Sequence, residues 1–251
     1  MGRYTIPIQT VTPLFLAGAD QFPELRAPSV RGALRYWLRA GLGGVLGDRK
    51  LDELRKAECE VFGSASGDME GSASPIVIRV TSDQVSNHWP AWKPARKGRD
   101  YLYWSMSASG KAQNYRPPRC YFAPPYRWSL DLSVRPGAGA ADQAVVQTLA
   151  ALWLLVQLGG LGARSRRTAG SLAASEPQEE LPASLSGLRF ALQAATASEL
   201  STELSRGLGI VRCMFQQGRS EIQPGSPAAF DILHPAVCRI WVLSADRSGA
   251  P

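Results

Sequence analysis

Residues 159–172 read GGLGARSRRTAGSL. Four glycines and three arginines stand together there, with no lysine, histidine or acid among them. Glycine lets a backbone take positive φ and come close to a partner. Arg164, Arg166 and Arg167 line that backbone with planar, permanently charged guanidinium groups, each able to grip a phosphate through two parallel hydrogen bonds. A nucleic-acid backbone fits both features. A solvated basic turn fits them as well, because the stretch follows a predicted helix whose C-terminal dipole favours cations. Composition alone does not separate the two. Spacing does exclude two other phosphate sites. A P-loop needs GxxxxGK[ST], and this stretch has no lysine. A dinucleotide fingerprint follows a strand and opens a helix, whereas Gly160, Gly162 and Gly170 follow a helix at other spacings.

The second basic feature is Arg31, Arg35 and Arg39, four residues apart on one face of a predicted helix. No acid stands four residues before or after any of them, which points to an anionic partner, and Arg26 adds to the cluster. An ordinary solvated helix face has the same look. The third is the stretch 88–128, where ten aromatic residues from Trp89 to Trp128 alternate with lysines and arginines. Aromatics beside arginines suit base stacking along a phosphate track. Most of these rings are expected in the core, with one or two projecting toward a strand.

Catalytic arrangements are poor. Glu58 and Glu60 are too close in sequence to flank a substrate as a carboxylate pair. His88 and His234 are the only histidines and stand apart from any nucleophile motif; His234 reads as a turn residue. Asp20 is a lone acid in a loop. Cys59, Cys120, Cys213 and Cys238 are spaced too widely for a zinc site and read as reduced core thiols. No catalytic residue, metal or cofactor is expected.

These residues need elements to position them. The chain has 251 residues, enough for a packed core, and a formal charge of +7, which favours polyanionic partners. Only five of its 28 basic residues are lysine. The start carries no signal-peptide pattern, so a cytoplasmic protein is expected. The apolar run from Val145 is broken by Gln147, Thr148 and Gln157 and reads as a buried helix, not a membrane span. Residues 4–16 alternate as a strand. Ser29 is the expected N-cap of a helix over 30–47, with Val30, Leu34, Trp37, Leu38 and Leu42 inward and Gly43, Gly44 and Gly47 ending it. A second helix follows over 48–63, then a linker over 64–74 and a strand over 75–82. The segment 83–127 reads as a long insertion with a possible strand at 101–108. A strand over 127–136, the long helix, the basic loop and a short closing strand complete the first unit. Its order, β-α-(α)-β-β-α-β, is the ferredoxin-like (RRM-like) α+β arrangement. Beyond it, 188–195 and about Val237 to Leu243 read as strands around a helical stretch.

In order along the chain stand TPLFLAGADQFPELRAPSVRGALRYWLRA, AECEVFGS and GGLGARSRRTAGSL. Together they resemble the RAMP superfamily of CRISPR proteins, and within it the family of the first RAMP subunit of type III-B (Cmr) effector complexes. The matching motifs are LR-x-P-S-x-RG-x-LR-x-W-x-R from Leu25 to Arg39, E-x-x-FG at Glu58 or Glu60 to Gly63, and GLGxRSRRGxGS from Gly160 to Ser171. FDILHPAVCRIWVL is similar to the start of that family's second domain. Thr168-Ala169-Gly170 departs from the family's Gly-x-Gly. The resemblance implies a ferredoxin-like RAMP domain over 1–175, with its insertion around 83–127, and the start of a second, incomplete RAMP-like domain over 185–251. It implies a non-catalytic subunit that holds the crRNA 3′ region and helps capture target RNA beside other effector subunits, away from membranes. Base pairing would supply the specificity. The candidate RNA-binding residues are then Arg26, Arg31, Arg35 and Arg39 on the helix side, and Gly160, Gly162, Arg164, Ser165, Arg166, Arg167 and Gly170 in the loop. Two alternatives stay open: a metal-independent endoribonuclease that processes crRNA, as some RAMP relatives are, and a scaffold whose basic face meets protein.

Overall fold

The computed structural model describes residues 2–47, 49–64, 71–84, 89–95, 98–139, 141–219 and 232–243. Strand β1 (Arg3–Thr10) buries Ile6, Ile8 and Thr10 and leaves the residues between them partly wet, the period-two pattern of a strand with one covered face. It stops six residues short of the expected 4–16. Pro13 has no N–H to offer a ladder, and the following residues bond elsewhere: Leu14 exchanges backbone bonds with Phe122 (3.2 and 3.0 Å), and Phe15 accepts from Ala163 (2.8 Å).

Helix α1 (Ala27–Leu46) begins earlier than Ser29 predicts. Arg26 takes the N-cap place in an extended conformation, and Pro28 sits in the first turn, where its missing N–H is no loss. Val30, Leu34, Leu38 and Leu42 are fully buried; Trp37 is half-buried at the edge of that stripe. Gly43 and Gly44 do not end the helix, which runs through both and closes at Gly47. A β-carbon on Gly44 would stand 2.7 Å from the Leu233 carbonyl oxygen, so the small residue serves close packing. Helix α2 (Leu51–Phe62) closes at Gly63 as expected. Of the linker, Ser64 and Ser72 pair as an isolated bridge, and 65–70 lie outside the described residues.

Strand β2 (Ile76–Thr81) leads into the insertion. The stretch 101–108 is not a strand. It holds the end of the short helix α3 (Gly98–Leu102) and a 3-10 turn over Trp104–Met106. Tyr103 and Met106 both enter a small second core with Phe15, Trp92 and Ala169. Residues three apart share a side in a helical turn and take opposite faces in a strand, which decides the conformation.

Strand β3 (Arg127–Val134), helix α4 (Ala141–Leu158) and strand β4 (Leu172–Ala174) complete the unit. The sheet order is β2-β3-β1-β4, with all neighbours antiparallel. That is the ferredoxin-like split βαβ topology. Ile6 pairs with Leu130 and Ile78 with Leu132 across the strands, and these side chains form one core with α1 and α4. Helix α4 is long and apolar enough to cross a membrane, and it is buried from Ala144 to Val156 in that core. On the open sheet face, Asp131 accepts from Arg3 (2.9 Å) and Thr5 (2.8 Å). Burial alone would raise the Asp131 carboxyl, but those bonds and the charges of Arg3 and Arg79 outweigh it and hold it below the usual carboxylate value.

Helix α5 (Ala197–Gln216) starts at a capping box between Thr196 and Glu199. It packs Val211, Met214 and Phe215 into the core shared by α1 and α4. The expected strand over 188–195 is absent because side chains take its backbone groups. Trp153 Nε1 donates to the Arg189 carbonyl (2.8 Å) and Gln157 Nε2 to that of Phe190 (2.7 Å). The Glu176 carboxylate accepts from the amides of Phe190 and Ala191 (3.1 Å each). The expected strand from Val237 to Leu243 is also absent. A turn over 235–237 starts it, with Val237 and Cys238 donating to the His234 carbonyl (3.1 and 2.8 Å).

Candidate nucleic-acid interface

The loop between α4 and β4 is a folded clasp. Leu161 donates to the Gly170 carbonyl (2.9 Å), Gly170 to that of Pro13 (2.8 Å), and Ala163 to that of Phe15 (2.8 Å). Gly162 and Gly170 have φ of +81° and +65°. A β-carbon at Gly162 would lie 2.5 Å from the Phe15 carbonyl oxygen, and one at Gly170 would run into that of Leu161. The close approach that these glycines permit is therefore by the chain's own backbone. Thr168, where the family pattern has glycine, takes the left-handed conformation (φ +68°) that glycine adopts most easily. Three contacts hold it. Its carbonyl accepts from Thr12 Oγ1 (2.6 Å) and Ser171 Oγ (3.1 Å), and its hydroxyl meets the Tyr103 hydroxyl at 3.2 Å. Ala169, fully buried, plugs the clasp into the insertion's core.

The clasp sorts its arginines by direction. Arg164, in left-handed backbone itself (φ +63°), turns toward the insertion, donating from Nε to Ser105 Oγ at 2.8 Å. Arg166 and Arg167 are exposed on the single 3-10 turn over Ser165–Arg167.

The helix stripe divides too. No acid neutralises it from within α1, but one does from α2. Glu58, buried, accepts from Arg35 (3.2 Å) and Arg39 (2.9 Å). Arg35 also donates to the carbonyls of Phe62 (2.8 Å) and Gly63 (2.6 Å), covering the end of α2. Arg31 donates to the Ile76 carbonyl at 3.3 Å. Burial, and then the charges of Arg35 and Arg135, push its guanidinium pKa down from the ordinary arginine value. Arg26 stands 3.8 Å from Glu24. Arg31 and Arg35 thus fasten α1 to its neighbours.

Arg39 is the member of the stripe that meets the loop. A cleft of about 580 Å³ is lined by Tyr36, Arg39, Arg55, Glu58 and Arg166 among others. A second, of about 540 Å³, is lined by Ser29, Tyr36, Trp37, Gly160, Ser165 and Arg166 among others. Tyr36 and Arg166 belong to both, so the two clefts form one trough along α1 and the basic loop. Tyr36 and Trp37 pack edge to face there, with centroids 5.4 Å apart. Arg39 from α1, Arg55 from α2 and Arg166 from the loop therefore share one face with two half-buried rings. Gly160, Gly162 and Ser165 line it; Arg164 and Gly170 do not. Sequence reasoning missed Arg55, Tyr36 and Trp37. The available signal was the Arg-x-x-Glu spacing of Arg55 and Glu58 on one helix face.

The other candidate residues have structural partners. Asp20 Oδ1 accepts from the Phe22 amide (3.1 Å) in a local turn. His234 Nδ1 accepts from the Ala236 amide (3.1 Å), as a turn residue does, and burial followed by the charge of Arg212 pushes its pKa down. The four cysteines are free thiols, but none lies in the core: Cys59, Cys120 and Cys238 are half-buried and Cys213 is exposed on α5. Among the described residues no three His, Cys, Asp or Glu side chains are grouped to hold a metal ion. His88 lies outside the described residues.

The chain thus holds a ferredoxin-like domain whose helix α4 leads into a Gly–Arg clasp. The model of the RAMP superfamily matches residues 7–173, and the chain belongs to that superfamily. Two of its relatives there are Cmr1 subunits. It is 30% identical over 186 residues to the CRISPR system Cmr subunit Cmr1-2 of Pyrococcus furiosus, covering 69% of this chain and 96% of that protein. To Cmr1-1 of the same organism it is 31% identical over 183 residues, covering 71% of this chain and 50% of that one. The crystal structure of Cmr1 from Pyrococcus furiosus in its apo form superposes with a TM-score of 0.63 at 24% identity, over 88% of this chain and 62% of that one. A Cmr-beta chain, from a type III-B complex bound to cognate target RNA, shares the fold with a TM-score of 0.57 at 13% identity, over 87% and 63% of the two chains.

Proposed function

We propose that this chain is a non-catalytic, RNA-binding subunit of a type III-B CRISPR effector complex in the cytoplasm, bound to crRNA, target RNA and neighbouring effector subunits. The observation that carries it is the trough where Arg39, Arg55 and Arg166 converge beside Tyr36 and Trp37. Three guanidinium groups on one face suit a sugar–phosphate strand, and half-buried rings suit its bases. The Cmr1 relatives support membership of the complex; the crRNA 3′ region is proposed on the motif resemblance alone. Arg167, exposed beside Arg166, extends the contact past the trough.

A salt titration of binding to single-stranded RNA tests the reading. Log affinity falls with log salt by about 0.7 per phosphate contact on a single strand. The double variant Arg166→Ala, Arg167→Ala binds all sequences more weakly by a similar factor, and its slope is shallower by about 1.4, for two lost contacts. A double variant with the wild-type affinity and slope removes the loop from the interface and sinks the proposal.

A further inference from the structure

Most rings of the insertion are packed away. Trp92 and Tyr103 keep 7% and 1% of their surface and meet Phe15 edge to face. Trp89 and Tyr126 pack on Phe122. Trp104, like Tyr101 and Tyr115, is not packed away: it stands exposed. Its neighbour Tyr103 faces the second core, and the 3-10 turn over Trp104–Met106 leaves the indole 65% exposed. Core packing does not explain a ring placed there.

The neighbour it does have is a cation. The Arg164 guanidinium carbon lies 5.7 Å from the Trp104 ring centroid. Arg164 is held in that direction by its left-handed backbone and by its Nε bond to Ser105, the residue next to Trp104. Two segments about sixty positions apart thus set an indole and a guanidinium side by side on the outside of the molecule. Arg166 and Arg167 follow on the same turn. Protein-binding hot spots favour arginine as well as tryptophan, but place them at the well-packed, desolvated centre of an apolar patch. Trp104 instead sits against an arginine and a serine, at the start of a basic loop.

We propose that Trp104 is a stacking platform for one unpaired nucleobase of a bound RNA strand, with Arg164 gripping the phosphate beside that base. The proposal rests on the RNA-binding reading above and extends the contact from the trough to the insertion. Every base has a π face, so the platform takes any of the four. Arg164 serves twice, stacked on the ring and aimed at the backbone.

The test uses the full chain and two probes of equal length: oligouridylate, and the same strand with riboses lacking bases. Trp104→Ala weakens oligouridylate binding about 5- to 150-fold, the range seen when one base loses an aromatic partner. Trp104→Phe keeps most of the affinity. The salt slope of Trp104→Ala stays at the wild-type value, because no phosphate contact is removed. The wild type binds the baseless strand more weakly by a factor that shrinks in Trp104→Ala. Equal thermal midpoints for the wild type and both variants show that the fold is intact. Wild-type affinity in Trp104→Ala, or the same baseless-strand penalty with and without the indole, overturns the stacking proposal and leaves the RNA-binding reading standing. So does a Trp104→Ala chain that binds RNA normally but no longer co-purifies with other effector subunits, which makes the ring a protein contact. A wild type that binds neither probe at low salt overturns both readings.

Discussion

Replacing Glu58 with glutamine moves stability and RNA affinity in opposite directions. The Glu58 side chain is 9% exposed and accepts one guanidinium hydrogen bond on each oxygen, from Arg35 at 3.2 Å and Arg39 at 2.9 Å. Hydrogen bonds to charged groups contribute about 1.5–3 kcal/mol each. The arginine side chains are 33% and 43% exposed, so water screens part of that gain. Glutamine keeps one acceptor oxygen. The net loss is then about 1–3 kcal/mol, well below the value for breaking a fully buried pair. In a chain of this length, each kcal/mol lowers the thermal midpoint by about 2–4 °C, so Glu58→Gln melts about 2–12 °C early. The same change releases Arg39, which lines the trough, and removes a negative charge that also lines it. Single-stranded RNA then binds more tightly at low salt, because Arg39 meets the strand without Glu58 drawing on its charge. Differential scanning calorimetry gives the first quantity, and fluorescence anisotropy at several salt concentrations gives the second. An unchanged midpoint refutes the clamp. A lower midpoint with weaker RNA binding refutes the claim that Glu58 competes with RNA for Arg39.

Two other predictions concern the fold. Thr168 is β-branched at φ +68°, a conformation that costs a non-glycine residue about 1–2 kcal/mol; its hydroxyl contact to Tyr103 returns about 0.5–1.5 kcal/mol. Thr168→Gly therefore shifts stability by between a loss of about 0.5 and a gain of about 1.5 kcal/mol, read from the urea midpoint, and a larger loss would show that the Tyr103 bond dominates. Asp131 has a depressed folded-state pKa, so its contribution is present above its unfolded value, near pH 4, and is lost as pH falls through the folded value. The stability gap between the wild type and Asp131→Asn is thus constant at neutral pH and narrows below about pH 4; a gap that widens in acid contradicts the ionised pairing with Arg3.

The sheet and its two covering helices were legible because their signals are local. Alternation at Ile6 and Ile8, the stripe from Val30 to Leu42 and the long, mostly apolar helix after Asp142 each lie within one element. Gly63 and Gly47 marked real helix ends for the same reason. The failures are contacts between segments far apart. Nothing near Arg35 and Arg39 announces that Glu58, about twenty residues on, will fold against both. The run 188–195 has strand composition, yet Trp153, Gln157 and Glu176 hold its backbone groups. Tyr103 and Met106 look like strand residues until Phe15 and Ala169 supply the core that they enter. The glycines of the clasp were read correctly as allowing close approach, but the partner proved to be the Phe15 and Leu161 carbonyls.

Ala169 has no exposed surface and lies in one cluster with Phe15, Trp92 and Tyr103. That methyl group works as a key cut for one lock. A chimera that carries the basic loop into a foreign scaffold, or takes the insertion from a distant homologue, needs both halves from the same parent. With only one half it would inherit the arginines without the directions in which they point.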